Sequence, residues 1–185
     1  VPGAVVIVST ETKFKAHCDM ADLPALELDR FLPYRLSVLS NTVSQAIAAE
    51  YESRHDLGVT EWRVMAVLGL NPGISASGVA ERTAMDKVAI SRAVARLIET
   101  GRVARTVSED DRRRSELWLT PAGRAVYEEI APRALAYEQR LLSVLSVEEQ
   151  RWLDRVLDKL AVHGVAAMAE LNAPPMPARR RHVQG

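Results

Sequence analysis

The feature that most constrains this chain of 185 residues is a change of hydrophobic period just after residue 101. Before it, apolar residues recur at helical spacing; after it, they alternate. Ser75 is placed to cap a short helix running to about Arg82, with Val79 and Ala80 facing inward. Asp86 is placed to cap the next, which carries Ile90, Val94, Leu97 and Ile98 at helical spacing and stops near Gly101. The connection Thr83-Ala84-Met85 is tight. Residues 103–107 and 116–119 then read as strands, with Leu117 and Leu119 on one face. Between them residues 108–114 are wholly polar and highly charged. Two helices joined by a three- or four-residue turn form a helix-turn-helix. With a charged hairpin behind them, they predict a winged helix-turn-helix.

The flanks are helical. From Leu28, the residues Phe31, Leu32, Leu36, Leu39, Val43, Ala46, Ile47 and Tyr51 trace one stripe of a long amphipathic helix. Gly58 is read as suiting its end and Thr60 as capping a second helix, which carries Trp62, Val64, Met65, Val67 and Leu68 and stops at Asn71-Pro72-Gly73. Thr120-Pro121 opens a helix that Pro132 is expected to kink or divide. Ser146-Val147-Glu148-Glu149 is a capping box, with Leu145 placed for a hydrophobic staple. The last helix carries Trp152, Leu153, Val156, Leu157, Leu160 and Ala161. The expected fold is therefore mainly α: a winged helix-turn-helix over residues 58–120, with a two-stranded β wing and a helical dimerisation region over residues 23–57 and 121–171. Residues 1–22 read as a disordered leader, and residues 172–185, with Arg179-Arg180-Arg181, as a disordered basic tail.

Net charge is zero, so only the distribution of charge is informative. Residues 82–114 hold nine basic side chains against five acidic ones. The positive charge of a neutral chain is thus gathered on one helix and one hairpin tip. Arg92 and Arg96, four apart, share a helix face. Val88 and Ala89 are small enough to let the helix start approach a major groove, where Lys87, Ser91 and Arg92 offer polar groups. Ser75 and Ser77 open the preceding helix. Ser75, Ser77, Lys87, Val88, Ala89, Ser91, Arg92, Arg96, Asp111, Arg112, Arg113 and Arg114 are accordingly the candidate contacts to double-stranded DNA.

Other chemistries lack their residues. One cysteine, Cys18, permits no internal disulfide, and four scattered histidines form no helical pair for a metal. No nucleophile elbow, phosphate-binding glycine loop or suggestive carboxylate pair is present, so neither an enzyme nor a cofactor is expected. No apolar run approaches the roughly 20 residues of a membrane span, and a cytoplasmic protein is expected.

Val79-Ala80-Glu81-Arg82, Ile90-Ser91-Arg92-Ala93-Val94-Ala95-Arg96-Leu97, Asp111-Arg112-Arg113 and Leu117-Trp118-Leu119-Thr120-Pro121-Ala122-Gly123 together resemble the multiple antibiotic resistance regulator (MarR) family. The likeness runs from about Leu28 to Met168. It implies a homodimer whose two winged helices grip a pseudo-palindromic operator, acting as a repressor. It also implies that Arg113 enters a minor groove and that Asp111 helps fix the wing. Many family members release DNA on binding an aromatic or phenolic anion, and the wording around residues 31–41 and 61–68 is similar to regulators of aromatic-acid breakdown. These include hydroxycinnamate-type regulators, some of which sense a coenzyme A thioester. An aromatic carboxylate needs a flat apolar wall and a cation. Tyr34, Arg35, Trp62 and Arg63 supply both types, and His55 is a further candidate. The alternative for Trp62 is a core position, and for Arg35 and Arg63 surface or interhelical ion pairs.

Two other functions compete. A winged helix also serves as a protein-interaction module without DNA binding, which an acidic or apolar recognition face would favour. Redox sensing in the family uses a cysteine near the start of the first helix, where this chain has Pro33 and Cys18 lies well upstream.

Overall fold

The computed structural model describes residues 26–107 and 115–171. Two compact units divide at residues 43 and 44, inside the first long helix. The first unit contributes residues 26–43. A turn over residues 28–30 precedes helix α1 (Leu32–His55), which begins four residues later than the apolar stripe. Pro33 supplies the reason: it lacks an N–H and has a preset φ, so it favours the first turn of a helix.

The second unit holds the end of α1 and the elements α2 (Val59–Leu70), α3 (Ala76–Thr83), α4 (Lys87–Glu99), β1 (Val103–Val107), β2 (Ser115–Leu119), α5 (Pro121–Leu142), α6 (Val147–Lys159) and α7 (Val165–Leu171). A π-helical turn, Leu160–Gly164, joins the last two. β1 and β2 pair antiparallel, from Val103 opposite Leu119 to Val107 opposite Ser115. Mainly helical, with a two-stranded wing, this is the expected architecture.

The core gathers around α4, which packs on α2, α3 and β1. Ile90, Ala93, Val94 and Leu97 are its buried residues, an i, i+3, i+4, i+7 stripe. Val64, Met65 and Leu68 of α2, Val79 and Ala80 of α3, Val103, Leu117 and Ile130 complete the layer, with Ala48, Tyr51 and Leu57 behind it.

Side chains and backbone define the element ends. Asp86 accepts from the N–H groups of Val88 and Ala89, at 2.9 and 3.0 Å, and so caps α4. At its other end Gly101, with φ +70°, lets Arg102 N–H reach the Leu97 carbonyl and its own N–H reach Ile98, a Schellman closure. Ser75 and Thr120 cap α3 and α5 as expected.

Four local expectations are corrected. The left-handed residue after α1 is Asp56 (φ 49°), and Gly58 starts α2 instead of ending α1. Thr60 therefore lies within α2. Glu61 provides the cap by accepting the Gly58 N–H. Of the two outcomes expected at Pro132, a kink or a division, the division does not occur: α5 runs from Pro121 to Leu142, because one proline removes a single donor. The capping box at Ser146 and Glu149 forms, but the staple position facing Leu145 is Gln150. Its amide donates instead to the carbonyls of Leu142 and Leu145.

The start of α5 is locked against the end of α4. Thr120 N–H donates to the Arg102 carbonyl at 3.0 Å, and Thr120 Oγ1 donates to the Gly101 carbonyl at 2.7 Å. This brings Gly123 so close that a Cβ there would lie 2.0 Å from the Arg102 carbonyl oxygen. Backbone on both sides leaves nothing flexible to yield. Gly123→Ala is therefore expected to destabilise the fold by about 1–3 kcal/mol, as overpacking does. Urea denaturation followed by circular dichroism measures it.

Candidate nucleic-acid interface

Helix α4 is sharply two-faced. With its apolar stripe in the core, its first turns present Lys87, Val88, Ser91 and Arg92 to solvent, while Ala89 is half-buried. Among the described residues neither Lys87 nor Arg92 has an ion-pair partner. The tight turn before α4 is held by Ala84 in the left-handed region (φ 50°) and by Met85 N–H donating to the Ala80 carbonyl. It sets α3 and α4 as a helix-turn-helix.

Ser75 has a structural task, its Oγ accepting the Gly78 N–H at 3.1 Å. It lines a shallow concavity with Gly73, Ile74, Ser77, Gly78, Glu81 and Arg82 at the start of α3. The wing is stitched to this region by backbone: Gly73 N–H donates to the Leu117 carbonyl, and Leu117 N–H donates to the Ile74 carbonyl. Trp118 lies against Gly73 and donates through Nε1 to Thr106 Oγ1 at 3.1 Å. Asp111, Arg112, Arg113 and Arg114 lie outside the described residues.

Arg96 differs from Lys87 and Arg92, the other basic candidates among the described residues, in having ion-pair partners. Its Nη2 donates to Asp56 Oδ2 at 2.9 Å, and its Nε lies 3.8 Å from Glu61 Oε1. Sequence reasoning missed these partners. They lie 40 and 35 positions upstream, and no local spacing reports contacts at that separation.

The candidate effector residues fall in both units. Tyr34 and Arg35, in the first, are exposed on the opening turns of α1. In the second, Trp62 sits between two tyrosines, its ring centroid 5.8 Å from that of Tyr51 and 5.9 Å from that of Tyr127. Burial pushes the Tyr51 hydroxyl up to about 12. Arg63 donates to Ser44 Oγ at 2.9 Å and to Met85 Sδ at 3.8 Å, and has no carboxylate partner among the described residues. His55 Nε2 lies 3.3 Å from Glu129 Oε2, and its carbonyl accepts from Arg102. Trp62 thus has the packing of a core-edge residue, while Arg63 keeps an uncompensated charge beside it. No cluster of potential metal ligands occurs among the described residues, and none of their helices is long and apolar enough to cross a membrane.

A tight helix-turn-helix followed by a hairpin sewn to its leading helix defines a winged-helix protein. The MarR family profile matches residues 55–114. An HTH-type transcriptional repressor of Mycobacterium tuberculosis is 30% identical over 133 residues, which cover 70% of this chain and 91% of the relative. A MarR/EmrR family transcriptional regulator from Acinetobacter superposes with a TM-score of 0.68 at 27% identity, covering 74% of this chain and 96% of that one. The CouR protein of Rhodococcus jostii, crystallised with p-coumaroyl-CoA, shares the fold at a TM-score of 0.64 and 23% identity, over 75% of this chain and 97% of its own. The chain belongs to the MarR family of transcriptional regulators.

Proposed function

We propose that this regulator is a homodimeric repressor that reads a pseudo-palindromic operator through α4 and the wing, and releases it on binding a small aromatic acid or its coenzyme A thioester. The observation that carries the DNA reading is the unpaired, exposed start of α4, Lys87, Ser91 and Arg92, on a helix whose other face is core. A basic face of this kind suits phosphate and guanine edges. It is not the acidic or apolar face that a protein-interaction module would present. In this reading residues 58–120 engage DNA, residues 23–57 and 121–171 carry dimerisation, and Arg113 supplies a minor-groove contact from the wing.

Arg92→Ala is expected to cost about 1–3 kcal/mol of operator affinity and to relax preference at one base position. Arg113→Ala is expected to weaken binding without moving the thermal midpoint. Fluorescence anisotropy on a duplex selected from a random library, over a salt series, measures both. Parent-like affinity of both variants would remove the DNA reading.

Dimerisation is supported by α6. Although amphipathic, it buries no residue within one chain: Trp152 is 57% exposed, and Leu153, Val156 and Leu157 share its open stripe. Apolar surface on that scale calls for a partner. Sedimentation velocity at micromolar concentration is expected to show a dimer, and a monomer would overturn the assignment.

The effector reading draws on Arg63, a cation without a carboxylate partner beside the Trp62 aromatic cluster, together with His55. The CouR protein, of the same fold, was crystallised with such a thioester. A thermal-shift series of aromatic acids and their coenzyme A thioesters is expected to yield a raised midpoint. That gain is expected to be lost in Arg63→Gln, and a series with no raised midpoint would refute the effector class.

A further inference from the structure

The geometry points to Arg96 as a positioning residue that ties the last turn of the recognition helix to the α1–α2 junction, leaving the DNA contact to Arg92. This rests on the DNA-binding reading above. Arg92 and Arg96 are one helical turn apart on the same side of α4, yet their guanidinium groups meet different surroundings. Arg92 is exposed and forms no ion pair among the described residues. Arg96 donates through Nη2 to both Asp56 Oδ2, at 2.9 Å, and the Asp56 carbonyl, at 3.4 Å, while its Nε faces Glu61 Oε1 at 3.8 Å. The planar fork of arginine suits such a shared hold, which a lysine point charge does not reproduce.

The two partners mark a joint in the chain. Asp56 is the left-handed residue that ends α1, and the Glu61 carboxylate accepts the Gly58 N–H that starts α2. Arg96 therefore spans the end of one helix and the start of the next. Just beyond α4, Arg102 donates to the His55 carbonyl, so the same joint is held a second time. From the other side, Glu129 of α5 lies 3.3 Å from His55 Nε2 and 3.8 Å from Arg54. The joint is thus connected both to α4 and to α5. A guanidinium held between two carboxylates has its charge offset locally and is a poor phosphate ligand. An exposed pair adds little stability. Its effect is on placement, and a base-reading helix tolerates errors of only about 0.5 Å.

The test is a double-mutant cycle in the full chain, on a duplex selected by the parent protein from a random-sequence library. Asparagine replaces Asp56 because it tolerates the left-handed conformation. Arg96→Gln and Asp56→Asn are each expected to weaken binding about two- to fivefold. The double variant is expected to lose no more than the weaker single variant, with one salt slope throughout. If Asp56→Asn leaves affinity unchanged or raises it, while Arg96→Gln reduces the salt slope by about one, Arg96 meets a phosphate and the assignment falls. Additive losses overturn it equally. If the parent protein enriches no duplex at all, the DNA-binding reading fails first, and the assignment fails with it.

Discussion

Burial of one face of α4 is the constraint on which the rest of the structure depends. Ile90, Ala93, Val94 and Leu97 meet α2, α3 and β1 in a single layer. Removing that stripe from water favours burial by roughly 25 cal/mol per Å² of apolar surface. The opposite face is thereby held outward with little freedom to rotate. A helix free to roll would present Lys87, Ser91 and Arg92 in no particular direction. Here the core decides that they point to solvent.

The backbone around α4 then limits where the wing and α5 go. The Schellman closure at Gly101 turns the chain into β1, and the Arg102 carbonyl receives Thr120 as the hairpin returns. Gly123 follows within contact of that carbonyl. The wing is also bonded at Gly73 and Ile74 to the turn that opens α3. Helices α3 and α4 and the wing are consequently fastened through peptide groups, which lack the rotamer freedom of side-chain links. The arginines add direction at the surface. Arg96 and Arg102 reach back to residues 55, 56 and 61, and so tie α4 and the residues just after it to the end of α1.

The open stripe of α6 differs in kind. The layer around α4 is complete within one chain, whereas Trp152, Leu153, Val156 and Leu157 end up facing water. Ser146 and Glu149 still build a sound helix start, the Ser146 N–H holding the Glu149 carboxylate below its usual range. Helix formation and helix burial are thus separate matters in this segment.

Local physics made much of this legible in the amino-acid order. Helix stripes of period 3.6, the caps at Ser75, Asp86, Thr120 and Ser146, the stop at Gly101 and the alternation into a hairpin are each written within a few residues, because they depend on neighbouring backbone and side chains. So were the basic character of residues 82–114 and the family likeness. Where the local signals were ambiguous, the expectation slipped: Gly58 suited either a helix end or a helix start, and Asp56 took the left-handed position instead. The partners of Arg96, the tyrosines on either side of Trp62 and the two neutral partners of Arg63 were decided by tertiary structure alone. Arg96 and Asp56 are 40 positions apart, and only the folding of α4 against α2 brings their charges to 2.9 Å. A sequence states which side chains carry charge. Which of those charges are spent inside the molecule, and which are left for a partner, depends on distances that exist only once the core has formed.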